Sequence, residues 1–180
     1  MTGFFFNTQH SRDFWMSMED AHRPLLPELR RNEYEITGRH GTVGFGGETY
    51  AKRHIAVDIA FIDLDVRNLQ LLARRLAHWL SGEGLLWFDD EPDKAYDAKV
   101  FAAVDTEQII RTKRASVIFE CQPFAKTINF LQSVHNGASS GHIMEIFSNG
   151  TVPTPAIIII TNTGNIDTSN ITIRRRALNR

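Results

Sequence analysis

Over residues 50–64 the chain alternates without a break: Ile55, Val57, Ile59 and Phe61 fall on one side of an extended backbone, His54, Ala56, Asp58 and Ala60 on the other. A period of two over this length describes a strand with one face in a core and the other half-exposed. The period then changes with no linker. Asp65 stands at an N-cap position, and Val66, Leu69, Leu72, Ala73, Leu76 and Leu80 recur at helical spacing until Ser81 and Gly82 stop the run. Arg67, Gln70, Arg74 and His78 take the opposite side of that helix, so its stripe is amphipathic. A strand face and a helix stripe that must both be buried imply a single amphipathic helix laid on a sheet.

Strand signals dominate the chain around this pair. Residues 4–6 and 14–18 are aromatic-rich runs between polar turn formers and read as strands or extended arms. Residues 22–28 hold Pro24 and Pro27, each of which removes a backbone donor and pushes its predecessor extended, so this is a tethered crossing segment. Residues 33–36 read as a strand, and residues 38–50, with five glycines, as a loop. After the helix, residues 84–88 and 95–104 are two strands joined by an acidic segment, and residues 109–121 alternate again, with Ala115, Val117 and Phe119 against Ser116, Ile118 and Glu120. Strand, helix, then a run of strands is the order of a mostly β, α+β domain, not of alternating parallel units.

Past Pro123 the character changes, and the chain divides into residues 1–125 and 126–180. Residues 127–140 are polar and irregular, while 143–147, 156–161 and 170–174 read as short strands between Gly, Asn and Pro turns. A sandwich takes about seven strands and about 100 residues, so this stretch is short for a complete one. The composition, 42% hydrophobic and 23% charged with a net charge of -1, is that of a folded globular protein. The acids crowd into the first part, leaving Glu145 and Asp167 alone after Cys121, and the tail with Lys126, Arg174, Arg175, Arg176 and Arg180 is only mildly basic. That is too dispersed for duplex DNA binding. A single cysteine, Cys121, fits folding in a reducing cytoplasm. The longest aliphatic run, Ile157 to Ile160, is far too short to span a bilayer.

The richest cluster of chemistry is Asp89, Asp90, Glu91 and Asp93, broken by Pro92. A calcium loop spreads its ligands over about 12 residues around a central glycine, and paired glycosidase carboxylates stand on opposed walls of a cleft. Neighbours on one turn do neither. The segment reads as a wet hairpin tip whose bend Pro92 sets and whose charges discourage edge pairing. The glycine loop lacks the lysine of a phosphate loop and precedes a strand instead of following one. The seven histidines have no ligand spacing, and Cys121 sits in a strand without a nucleophile signature. No catalytic residue, cofactor or metal site is assigned, and the chain reads as a structural or binding protein.

The ordered motifs RPLLPELR, GRHGTVGFGGETYAKRHIAVDIAF, LARRLAHWLSGEGLLWFDDEPDKAYDAKV and FECQPFAK resemble the distal tail protein family of siphophages and prophages of Gram-positive bacteria. The likeness runs from about Phe4 to Lys126. It implies a sandwich-like N-terminal β domain with one helix, followed by the start of a galectin-like β-sandwich module. It also implies a place in the virion tail tip, as a hexameric ring between the tail tube protein and the tail-associated fibre or lysin protein. DNA passes through that ring without specific binding, and receptor-binding proteins are further partners. On this reading Arg53, Asp89, Asp90, Glu91 and Asp93 lie at subunit borders or toward the channel. Phe4, Phe5, Phe6, Arg23, Pro24, Leu25, Leu26 and Pro27 belong to arms that pack across a neighbour. The alternative is a carbohydrate-binding module at the tail tip for adsorption to the host surface. It needs exposed aromatic platforms, yet Trp15, Trp79 and Trp87 all precede residue 121.

Overall fold

The computed structural model describes residues 2–44, 46–47, 49–62, 69–102, 109, 111–129, 132–134, 150–155, 157–167 and 171–173. It falls into two compact units, Met1–Leu131 and Gln132–Arg180. The first unit is built on one large antiparallel sheet from β1 (Phe4–Phe6), β2 (Gln9–His10), β3 (Met16–His22), β8 (Arg53–Phe61), β9 (Glu83–Phe88), β10 (Glu91–Val100), β11 (Arg114–Cys121) and β12 (Lys126–Thr127). The strands lie in the order β2-β1-β9-β10-β11-β8-β3, with β12 on the first part of β10. Thr2 and Met18, from the two ends of this order, meet where the Met18 N–H donates to the Thr2 carbonyl at 3.2 Å. The sheet thus curls so that its first and last long strands approach, as a barrel does.

The alternation over β8 is kept in full. Ile55, Val57, Ile59 and Phe61 are buried beside Ala115, Val117, Phe119 and Cys121 of β11, Leu86 and Phe88 of β9, and Tyr96 and Ala98 of β10. Eight consecutive residue pairs, from Arg114 with Ala60 to Cys121 with Arg53, hold β8 to β11. A register with one face buried resists slipping, because a one-residue shift would turn every apolar side chain outward. The helix α1 (Leu69–Trp79) follows the strand as its spacing predicts. Leu76 and Trp79 are buried in the barrel core, and Leu72 and Leu80 pack against it. Gly82, at φ 84°, turns the chain back into β9. The expected cap Asp65 and the position Val66 lie outside the described residues.

Several expectations are corrected. The segment containing Phe4, Phe5 and Phe6 is not an arm short of structure in its own chain. It pairs with Phe88, Trp87 and Leu86 of β9, and Phe4 and Phe6 are completely buried. Between β1 and β3 the 3-10 turn η1 (Ser11–Phe14) is held by a capping box between His10 and Asp13, and ends on Trp15 in a left-handed conformation. The glycine stretch is more than a loop. It contains β6 (Thr42–Gly44), which pairs with β5 (Glu33–Glu35) around Gly38 and Gly41, both at positive φ. The short pair β4 (Leu29–Arg30) and β7 (Thr49–Tyr50) forms the base of the same ribbon. The last core strand starts at Arg114, not Ile109: Ile109, Arg111 and Thr112 are helical, and the Lys113 N–H closes on the Ile109 carbonyl at 2.9 Å.

In the second unit, no strand forms among the described residues, so strands over 156–161 and 170–174 are not seen at Ile157–Ile160 or Ile171–Ile173. The expected strand over 143–147 lies outside the described residues. Ile157, Ile158, Ile159 and Ile160 stay exposed, Ile157 to 90%. An aliphatic run can form a strand only where a partner edge accepts its backbone donors and covers its side chains. The division between units falls after Leu131, later than residue 125, because β12 is drawn back onto Lys94 and Ala95 of β10.

Candidate functional site

The turn between β9 and β10 consists of Asp89 and Asp90 alone. Glu91, Pro92 and Asp93 already belong to β10, so Pro92 does not make the bend. It stands in a stretch where the β9 register breaks, between Glu91 and Tyr96, and a residue without an N–H fits such an irregularity. The turn is also not an unpaired acidic tip. Asp89 Oδ2 accepts from the Gly3 N–H at 2.8 Å and from Arg12 at 3.4 Å, while Oδ1 lies 3.1 Å from His10 Nε2. Since His10 Nδ1 accepts from the Arg12 N–H at 2.9 Å, the ring must carry its proton on Nε2 and donate it to Asp89. Asp89 therefore fastens the start of β1 and the η1 cap to the hairpin.

Asp90 and Glu91 are engaged from the other direction. Arg23, just past the end of β3, donates through both terminal nitrogens to Asp90 and lies 3.9 Å from Glu91. Its guanidinium sits 4.7 Å over the Phe88 ring. The hydrogen bond to Asp90 is the main reason that its pKa is raised. Arg23, expected in an arm, thus belongs to this chain's own hairpin, and Pro27 is buried, whereas Leu25 and Leu26 are exposed as a crossing segment requires. Asp93 is exposed and has its pKa lowered by a hydrogen bond from Lys94. With these cations in place the turn carries little of the free negative charge that would keep a passing polyanion away.

Arg53 opens β8 on the same face as Ile55, and so points to the inside of the barrel wall. It lies with its guanidinium 5.5 Å over the Tyr96 ring and a terminal nitrogen 3.5 Å from the Tyr96 hydroxyl. Its Nε is buried and has no hydrogen-bond partner among the described residues. Next to it, burial pushes the Cys121 thiol up to about 12, against the opposing pull of Arg53, so the thiolate is absent at neutral pH. Outside the wall, Glu120 is held by Lys52 at 2.7 Å and Lys99 at 3.3 Å. The hydrogen bond from Lys52 is the first cause of its lowered pKa. Arg53 and the acidic turn do not contact each other directly, but Arg23 and Arg53 both feel Tyr96, one by charge and one by stacking. His10, Arg12 and Tyr96 were not singled out by sequence, because partners separated by tens of residues leave no local spacing.

Among the described residues no group of three or more His, Cys, Asp or Glu side chains converges as a metal site would, and no helix is long and apolar enough to cross a membrane. The ribbon of β4, β5, β6 and β7 is largely open to solvent, with Tyr50 of β7 edge-on to the Phe124 ring at 5.4 Å. Every residue of β5 is exposed, and Val43 of β6 is only half-covered.

No curated protein sequence matches the chain. The fold is similar to the crystal structure of the SPP1 Dit protein, described as a paradigm of the hub adsorption apparatus in phages that infect Gram-positive bacteria. The TM-score is 0.58 at 19% identity, over 71% of this chain and 52% of that one. The chain therefore spans about half the length of that protein, and at this identity the likeness is one of fold. The family described as the phage tail protein RIFT-related domain matches residues 17–121, more than half of the sequence, from β3 through the ribbon, β8, the helix, β9 and β10 to the end of β11. The chain belongs to this family of phage tail proteins.

Proposed function

We propose that this phage tail protein is a hub of the tail tip. Copies close into a ring, six by the likeness to distal tail proteins, that joins the tail tube protein to the tail-associated fibre or lysin protein. DNA passes through the opening without specific binding, and receptor-binding proteins attach further out. The observation that carries this reading is the ribbon. β4 with β7 and β5 with β6 form two-strand pairs only two and three residues long, with Tyr34 and Ile36 exposed. Two strands alone are marginal in water, so a ribbon of this kind gains its stability by lying on another surface. A head-to-tail contact repeated by a closing rotation makes a ring. Leu25, 92% exposed, and Leu26 supply apolar surface at the base of the same segment.

The test is the mass of the assembled protein. Light scattering of the full chain, alone and mixed with tail tube and tip proteins, is expected to give about six copies per particle. Replacing residues 31–44 by a short glycine-serine turn is expected to leave a folded monomer. A strict monomer under every condition, or a ribbonless variant that assembles like the wild type, would rule out the proposed role of the ribbon in a ring.

A further inference from the structure

The two ends of β8 differ in kind. At Phe61 the inner face ends on a buried apolar side chain, but at Arg53 it ends on a guanidinium stacked on Tyr96. A planar cation brought this far into a wall normally meets a carboxylate, since an unpaired buried donor costs more than its hydrogen bond returns. Here, among the described residues, Nε is buried without an acceptor, and the guanidinium makes one polar contact, the long one to Tyr96. The surrounding carboxylates are already committed: Asp90 and Glu91 to Arg23, Asp97 to Lys126, and Glu120 to Lys52 and Lys99. Arg53 is nonetheless only partly covered, so its terminal nitrogens can be reached from outside although Nε is closed off.

We propose that Arg53 is a receptor for a carboxylate brought by another protein, an Asp or Glu side chain seated at this mouth of the barrel. The guanidinium presents its donors as a fixed fork that matches both oxygens of a carboxylate, and stacking on Tyr96 holds the plane of that fork in advance. Arg23 repeats the arrangement nearby with its acid present: a guanidinium over Phe88, its terminal nitrogens on Asp90. Arg53 has the ring without the acid. Leu25 and Leu26, two and three residues on from Arg23, add exposed apolar surface, so an occupant with an acidic side chain beside an apolar one fits best. The inference goes beyond the hub reading and does not depend on a ring.

The probe is sodium acetate, titrated into the full chain against sodium chloride at equal ionic strength, with the arginine Nε–H resonances observed by NMR. One resonance, identified by its loss in Arg53→Lys, is expected to move saturably with acetate and not with chloride. Arg53→Met is expected to remove the acetate response while holding or raising the melting midpoint, because it deletes an unpaired donor from a half-buried place. Light scattering of that variant separates the two sources of the acid: lost self-assembly puts it in a second copy, retained self-assembly in a different tail protein. An acetate response no larger than that of chloride would overturn the proposal. So would a midpoint lowered by several degrees in Arg53→Met, since Arg53 would then serve its own chain's packing.

Discussion

Trp79 joins the helix to two separate elements of the N-terminal segment, β1 and η1. Its indole stacks on Phe14 at 4.4 Å and on Phe4 at 5.7 Å, meets Phe6 edge-on, and donates from Nε1 to the Phe6 carbonyl at 2.7 Å. That carbonyl belongs to an otherwise buried residue, so the indole both fills the core and satisfies an acceptor. The helical spacing pointed to Leu72, Leu76 and Leu80, which do face the barrel. It did not single out Trp79, although position 79 lies three after Leu76 on the same stripe. Trp79→Ala is expected to cost about 3–5 kcal/mol of stability, and Trp79→Phe about 1–3 kcal/mol through the orphaned carbonyl. Urea unfolding followed by circular dichroism measures both; a Trp79→Phe variant as stable as the wild type would mean that the hydrogen bond contributes nothing.

At the scale of elements, β1 is the strand whose role changes most between sequence and fold. Three phenylalanines in a row show no alternation, and so gave no sign of which of them would be buried. Pairing with β9 decides it: Phe4 and Phe6 enter the core, while Phe5 stays on the outer side and stacks on Trp87 at 4.8 Å. Gly3 and Gly84 make room for this placement. A side chain at Gly3 would strike His10, and one at Gly84 would overlap Asn7. Deleting residues 1–10 therefore removes core, not an accessory arm. Losing two buried phenylalanines at about 3–5 kcal/mol each takes most of a typical stability of about 5–15 kcal/mol. The truncated chain is expected to show no cooperative thermal transition; a cooperative melt near the wild-type midpoint would return β1 to the status of an arm.

At the scale of the molecule, the buried apolar cluster formed by the described residues lies within Met1–Leu131. The described isoleucines of Gln132–Arg180 are exposed in contrast, Ile159 and Ile166 at 83% and 82%. A unit that holds its own core is expected to fold by itself. A chain ended after Leu131 should melt at the midpoint of the full chain in calorimetry, with the same steepness. A midpoint several degrees lower would show that the later residues support the barrel. Exposed apolar surface on this scale marks a place for a partner, consistent with a protein that works inside an assembly.

What the sequence determined by itself is periodicity. The β8 alternation, the helix stripe, the alternation over Ala115, Val117 and Phe119, and the hairpin around Asp89 all depend on neighbours within a few residues, and all are present in the fold. The tertiary structure alone decided what those elements meet. It brought Asp89 to Gly3 and His10, Arg23 to Asp90, and Trp79 to Phe6, across 67 to 86 residues of chain. It also left Arg53 on Tyr96 without an acid among the described residues. Backbone period is a local property, fixed by dihedral geometry and solvent, whereas the pairing of charges and the filling of a core depend on which strands become neighbours. The same Ile and Thr runs that read as strands after residue 150 form none among the described residues, because a strand exists only once another edge accepts it.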